Sequence, residues 1–289
     1  MFLVEYVEYL EFKTPKLKEM TDYYEKELGM TRINGSTSER VLLGFGNKFP
    51  SLILQQSETF SLGEIGFKVH GKNEWEQIIN RLKDQNIPYD ILDSEFYGPV
   101  LSFEDVDRHP LKLHYAQTYT AQSGNQTSRF GPILSRLHHV TYASPQPMEV
   151  AKFYEEVLNF KISDMVEGGN FVWLRTNPEH HTIAAAAHTS VGLDHFCFEL
   201  PNWESFKEWC DYLGDQDVEI IWGPGRHGPG NNLFFFTLDP DGNRIEYTCE
   251  VEQFRDNHME YTNRVWKNSP KTVNLWGPGA PWARELPPS

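Results

Sequence analysis

Residues 136–160 read RLHHVTYASPQPMEVAKFYEEVLNF, and residues 6–30 read YVEYLEFKTPKLKEMTDYYEKELGM. At an offset of 130 residues, Ser144-Pro145 falls on Thr14-Pro15, Tyr154-Glu155 on Tyr24-Glu25, and Leu158 on Leu28. Each copy passes from a β-patterned run through a proline-marked turn into an amphipathic helix. In the second copy Val150, Phe153, Tyr154, Val157 and Leu158 recur at helical spacing and form one apolar stripe. Such self-similarity marks a repeated unit rather than two unrelated folds.

The match extends outward from these stretches. GEIGFKV (63–69) aligns with LDHFCFE (193–199), which sets Ile65 opposite His195. A helical segment follows each: NEWEQIINRL in the first half and NWESFKEWCDYL in the second. Each half then ends in a turn between strands, LSFEDVDRHPLKLHY (101–115) and FFFTLDPDGNRIEYTCE (234–250). Pro240-Asp241-Gly242-Asn243 is a strong turn signal between apolar runs. The reading is an α+β chain of β-α-β-β-β modules. The polar, Gly/Ser-rich stretch 116–131 reads as the linker. The expected domains are residues 1–120, residues 132–265 and a Pro-, Gly- and Trp-rich tail over 266–289.

Composition agrees with two such units. The chain has 289 residues, and domains average about 150. A net charge of −15 without basic clusters argues against nucleic-acid binding. No apolar run approaches the ~20 residues that a membrane span needs. MFLVEYVEYLEF carries glutamates that a signal peptide would not, so it reads as the first strand. Cys197, Cys210 and Cys249 form no CxxC pair and suit a reducing cytosol.

Chemistry-bearing residues concentrate in the second half. His139 lies on its first strand, His195 on a later strand, and Glu246 on the strand after the PDGN turn. Two imidazoles and a carboxylate converging from neighbouring strands would form a facial triad for Fe(II) with open coordination positions. The matching places of the first half hold Tyr9, Ile65 and Lys112, which make no such site. A lone strand histidine is usually structural; a ligand set present in one copy of a duplicated scaffold points to function. His180 and His181 are adjacent on a strand, so only one is expected to face a pocket. His227 sits in GPGRHGPG, where glycine permits close backbone approach.

LHHVTYAS (137–144), GLDHFCFEL (192–200), GPGRHGPG (223–230) and LDPDGNRIE (238–246) together resemble the type I extradiol ring-cleaving dioxygenases of the vicinal oxygen chelate superfamily. The resemblance spans about residues 5–265. It implies two tandem domains of paired βαβββ modules forming curved, incompletely closed β-barrels. It implies His139, His195 and Glu246 as metal ligands, with Fe(II) the expected metal and Mn(II) the alternative. His181, in the pattern HTIA, matches the acid–base histidine, with His180 as substrate-side fallback. His227 matches the histidine that hydrogen-bonds substrate or intermediate. Trp173 and Phe236 are expected to line the substrate pocket. Many members carry tyrosine where Phe236 stands, so its hydroxyl must come from elsewhere, with Tyr142, Tyr247 and Tyr261 as candidates, or the substrate differs. The implied partners are a small aromatic diol and O2, in a cytoplasmic homo-oligomer, dimer or tetramer. The same modules also serve glyoxalase-like isomerases, thiol transferases and aromatic-binding resistance proteins, which are the rival readings.

Overall fold

The computed structural model describes residues 2–46, 49–94, 96–116, 132, 134–254 and 262–284; most of the expected linker and Tyr261 lie outside them. The first half contains β1 (Val4–Thr14), α1 (Leu17–Lys26), β2 (Thr31–Arg32), β3 (Arg40–Gly44) and β4 (Leu52–Gln56). It continues with β5 (Ser61–Val69), α2 (Lys72–Asp84), β6 (Tyr89–Ser94), β7 (Gly98–Glu104) and β8 (Pro110–His114). The second half repeats the plan with β9 (Arg136–Ser144), α3 (Pro147–Leu158), β10 (Lys161–Val166), β11 (Phe171–Arg175) and β12 (Ile183–Ala187). Then come β13 (Gly192–Glu199), α4 (Trp203–Asp215), β14 (Trp222–Arg226), β15 (Leu233–Leu238) and β16 (Arg244–Cys249). The tail adds β17 (Arg264–Trp266) and α5 (Pro270–Val273).

The duplication is visible in the strand order. The first sheet runs β2-β3-β4-β1-β5-β8-β7-β6. The second runs β10-β11-β12-β9-β13-β16-β15-β14, with β17 added beside β10. Each half is thus a pair of βαβββ modules whose first strands lie side by side, antiparallel, at the sheet centre. Neither sheet closes into a full barrel among the described residues.

Alternation along the central strands divides core from site. Leu137, Val140, Phe196 and Ile245 enter a single apolar core that also takes Leu10, Phe12, Ile65 and Phe67 from the first half. Ring contacts join the halves, Phe12 with Phe196 and Phe45 with Phe198, each at 5.4 Å between centroids. The helices contribute their apolar stripes, and α3 buries Val150, Phe153, Tyr154, Val157 and Leu158 as the periodicity requires. Asn159 ends α3 in the left-handed conformation, φ 60°, which a short polar side chain tolerates. A buried polar contact also crosses the halves: the Tyr24 hydroxyl donates to Asp239 Oδ2 at 2.8 Å. Asp239 in turn accepts from the backbone N–H groups of Asp241 and Asn243, which shapes the PDGN turn.

Candidate active site

Two strand irregularities set the site. Along β9 and β13, His139 faces Cys197 while Leu137 faces Phe198, so His138 is an extra, bulged residue. Further along, Leu193 faces Tyr142 and His195 faces Thr141, which leaves Asp194 as a second extra residue. Bulges re-aim side chains beside functional sites. β16 runs parallel to β13 and places Glu246 beside Cys197. The side chains of His139, His195 and Glu246 emerge on the sheet face opposite the core and line one cavity of about 360 Å³ with His181 and His227.

Glu246 is the centre of this cluster. Its Oε2 lies 3.1 Å from His139 Nε2 and 3.3 Å from His195 Nε2. Its Oε1 lies 3.5 Å from His227 Nε2 and accepts a hydrogen bond from Asn232 at 3.1 Å. The His181 ring stands 4.2 Å from that of His139, centroid to centroid. Each of the four imidazoles is held from behind through Nδ1. His195 Nδ1 meets Asp194 Oδ1 at 2.6 Å, and His139 Nδ1 meets His138 Nδ1 at 2.8 Å. His181 Nδ1 meets His180 Nδ1 at 3.0 Å, and His227 Nδ1 donates to the Val273 carbonyl at 2.5 Å. Anchoring the rear nitrogen fixes ring orientation and favours a bare Nε2, the form in which imidazole binds a cation.

Burial and these partners perturb the charges. Burial alone would raise the Glu246 carboxyl, but the imidazoles of His139, His195 and His227 outweigh it and hold that carboxyl well below its usual range. His195 is opposed by burial, yet its bonds to Asp194 and Glu246 raise it to about 9. Burial lowers His139 against the pull of Glu246. It lowers His181 well below the ordinary imidazole value, and neighbouring His139 adds to the effect. A neutral His181 therefore faces the cavity.

The donor set suits a divalent cation. Imidazole nitrogens with a carboxylate, and room in the cavity for further ligands, match a non-haem iron or manganese site. Cys197 Sγ lies within 4.8 Å of the His139 and Glu246 donors. Burial raises that thiol far above its normal value, however, and it donates to the Phe198 carbonyl at 3.5 Å. A protonated thiol turned to the backbone is a poor ligand.

The rest of the cavity sorts the other expected residues. Trp173 and Phe236 line it, with Phe171 stacked on Trp173 at 4.0 Å. Phe236 sits edge-on to His195 at 5.2 Å and packs with Trp222 and Trp282. His180 and His181 lie in the β11–β12 connection, not on a strand as expected, and the His180 ring does not line the cavity but sits behind its wall, with Nε2 3.1 Å from Asp164 Oδ2. His181 is the cavity-facing member of that pair. Tyr142 and Tyr247 are core residues, bonded to Tyr154 and Thr237, so neither supplies the hydroxyl that Phe236 lacks. Among the described residues, the hydroxyl-bearing ones that line the cavity are Ser269 and Thr272 of the tail, the latter donating to the Lys267 carbonyl at 2.6 Å. Lys267, Val273 and Trp282 extend the tail across the same cavity. Sequence reading missed Asp194 and His138, although the Asp194-His195 and His138-His139 dipeptides were a visible signal of imidazoles with adjacent partners.

The first half answers how the duplicate is spent. Leu10 pairs with Ile65 as Val140 pairs with Phe196, and Ile65 pairs with Leu111 as Phe196 pairs with Ile245. The residue equivalent to His195 is therefore Glu64, one position from the Ile65 expected by linear alignment. The bulges of β1/β5 and β9/β13 match, and the linear offset fails because the stretch from Ile162 to Leu174 is one residue longer than its counterpart from Arg32 to Leu43. Tyr9, Glu64 and Lys112 form their own cluster. Lys112 Nζ lies 3.1 Å from Glu64 Oε1, and the Tyr9 hydroxyl donates to Glu64 Oε2 at 3.4 Å. An ammonium stands where the second half has its acceptor cluster. Gly66 replaces Cys197, and the Tyr9 ring lies so close over it that a Cβ would fall 2.1 Å from Tyr9 Cε1. Tyr9, Phe49 and Tyr97 fill the space.

The family model of the Glyoxalase/Bleomycin resistance protein/Dioxygenase superfamily matches residues 136–247, which hold all four cavity histidines and Glu246. A metallothiol transferase from Staphylococcus saprophyticus is 31% identical over 154 residues, covering 49% of this chain and 98% of that protein. The chain belongs to this superfamily. A metapyrocatechase from Geobacillus stearothermophilus is 21% identical over 85% of this chain and 81% of its own length. An iron-dependent extradiol dioxygenase from Rhodococcus jostii is 23% identical over 93% of this chain and 95% of its own. Among solved structures, an Mn(II)-bound glyoxalase from Novosphingobium aromaticivorans superposes with a TM-score of 0.86 at 21% identity, over 100% of this chain and 96% of that one.

Proposed function

We propose that this chain is an extradiol dioxygenase that opens a catechol or related dihydroxylated aromatic ring with O2 to a semialdehyde-type acid. His139, His195 and Glu246 hold Fe(II), with Mn(II) the alternative. The observation that carries the reading is the facing of the His139 and His195 Nε2 atoms toward one Glu246 oxygen, in a cavity that also holds His181 and His227. The iron-dependent relative from Rhodococcus supports the same metal class.

A bound divalent cation supplies a chelation point for both substrate oxygens and a path for electron density toward dioxygen. The chain's own residues do the remainder. His181, kept neutral by burial, accepts a proton from a substrate hydroxyl and later returns it to the departing oxygen. His227 steadies negative charge that develops on oxygen. Phe171 and Trp173 on one side, and Phe236 and Trp282 on the other, exclude water and clamp an aromatic ring. Lys267, Ser269, Thr272 and Trp282 of the tail cover the cavity, residues 132–265 form the catalytic domain, and residues 1–120 form a domain without ligands. The three free cysteines suit a cytoplasmic protein. A homo-oligomer, dimer or tetramer, rests on the family resemblance alone.

The test is anaerobic loading with Fe(II), followed by catechols and air. Oxygen uptake with a strong yellow product, lost in His195→Ala, is the expected result. No uptake with any catechol in a chain that holds one iron refutes the activity. The likeness to a metallothiol transferase supports a second reading, a non-oxygenase metal enzyme. Metal analysis separates them: stoichiometric iron favours the oxygenase, zinc or nickel the rival.

A further inference from the structure

Behind His181 runs a chain of contacts that ends in the tail. His181 Nδ1 lies 3.0 Å from His180 Nδ1, and His180 Nε2 lies 3.1 Å from Asp164 Oδ2, approaching off the ring's N–H axis. All three residues are buried, with Asp164 and His180 completely so. Asp164 is not free to swing. Its Oδ1 accepts from Arg264 Nε at 2.9 Å and its Oδ2 from Trp266 Nε1 at 2.7 Å, both on β17. Arg264 is itself clamped by Glu252. His180 is boxed in by the Phe254 ring at 6.0 Å. It is boxed in also by Gly230, φ +77°, where any Cβ would stand 3.1 Å from His180 Nδ1.

The ionised Asp164 beside His180 Nε2 selects one neutral assignment. An ionised Asp164 only accepts, so the His180 proton belongs on Nε2. His180 Nδ1 is then a lone pair, and it can only accept from His181 Nδ1–H. His181 Nε2 is consequently bare and faces the cavity. We propose that Asp164 is a positioning residue for catalysis: acting through His180, it fixes His181 in the tautomer whose Nε2 takes the substrate proton. The transfer breaks the substrate O–H bond and forms the His181 Nε2–H bond. The negative charge stays on the substrate oxygen, and the positive charge on His181 is met through His180 by Asp164. Strand β17 thereby belongs to the catalytic apparatus although none of its side chains donates to His181 directly. The catalytic part of this inference rests on the dioxygenase reading above; the tautomer part does not.

The test uses the full chain labelled with 15N histidine. Long-range 1H–15N correlation spectra of the metal-free protein report which nitrogen of His181 carries the proton. The expected result is a single Nδ1–H tautomer in the wild type and in Arg264→Gln, which keeps Asp164. Asp164→Asn should lose it, giving an averaged or Nε2–H ring. In the iron-loaded enzyme, Asp164→Asn should lower kcat about 10- to 100-fold, the usual scale for a partner behind a catalytic histidine, with KM and iron content unchanged. A purely structural Asp164 would instead leave the tautomer alone and move metal content or KM. A wild-type Nε2–H tautomer, or one unmoved in Asp164→Asn, overturns the inference even if the enzyme oxidises catechols. The expected tautomers together with no oxygen uptake in the wild type would sink the dioxygenase reading and leave the chain of contacts standing.

Discussion

His114 in the first half is a buried imidazole with neither ring nitrogen hydrogen-bonded, stacked on Tyr97 at 4.0 Å. Burial, aided by the Lys68 charge, lowers it from 6.5 to about 3. The sign follows directly. Between these values the unfolded chain binds a proton that the folded chain refuses, so stability falls as pH falls below 6.5 and rises with pH. At pH 5 the unfolded state gains about 2 kcal/mol from this one group, at 1.36 kcal/mol for each of 1.5 pH units; at pH 7 it gains almost nothing. The figure is insensitive to the folded value, because His114 stays neutral at pH 5 whether that value is 3 or 4. His114→Phe retains a ring for Tyr97 and removes the proton site. Urea unfolding of wild type and variant at pH 7 and pH 5 gives a double difference in which the other titrating groups cancel. The variant should lose about 2 kcal/mol less than the wild type on acidification. Equal losses in both would show that His114 is solvated or paired, and that the space filled by Tyr9, Phe49 and Tyr97 admits water beside it.

Three further outcomes are expected. Glu246→Gln removes the negative charge on which His139, His195 and His227 converge, and should abolish stoichiometric iron or manganese binding in elemental analysis while leaving the circular dichroism spectrum unchanged. Tyr24→Phe deletes a donor to buried Asp239 across the two halves, and should cost about 1.5 kcal/mol in urea unfolding with kcat unaffected. Trp282→Ala strips an aromatic wall that contacts Phe236 and Trp222 at 5.3 Å each, and should raise KM for catechols about tenfold, equivalent to ~1.4 kcal/mol, with a small change in kcat.

Much of this molecule is written in local sequence, and the parts that are not have identifiable causes. The repeated β–turn–α pattern carries the duplicated sheet, because alternation and helical spacing survive duplication. His139, His195 and Glu246 stand out because the first copy lacks them. The pairing of Ile65 with His195 is one residue off, since the extra residue between Ile162 and Leu174 leaves the apolar pattern on either side of it intact. His180 and His181 do point apart, but from the β11–β12 connection and not from a strand, so alternation could not say which of them faces the cavity. The role of Asp164 was invisible because Arg264 and Trp266, its donors, lie about 100 residues downstream and meet it only through a parallel strand pairing. Tyr142 and Tyr247 illustrate the converse: a hydroxyl near a ligand in sequence can lie across the sheet from it.

The pairing of β17 with β10 has a consequence for the order in which this pocket is made. Ribosomes deliver residues 139, 181, 195 and 246 before residues 264–282. Until the tail emerges, Asp164 lacks its guanidinium and indole partners, and the cavity lacks Ser269, Thr272 and Trp282. A nascent chain therefore presents its imidazoles and carboxylate in an open, wet groove, in which a cation can be captured but a ring cannot be clamped. Emergence of residues 264–282 is therefore a late assembly step for the pocket, and any restraint on residues 262–284 should be felt first in turnover, not in folding.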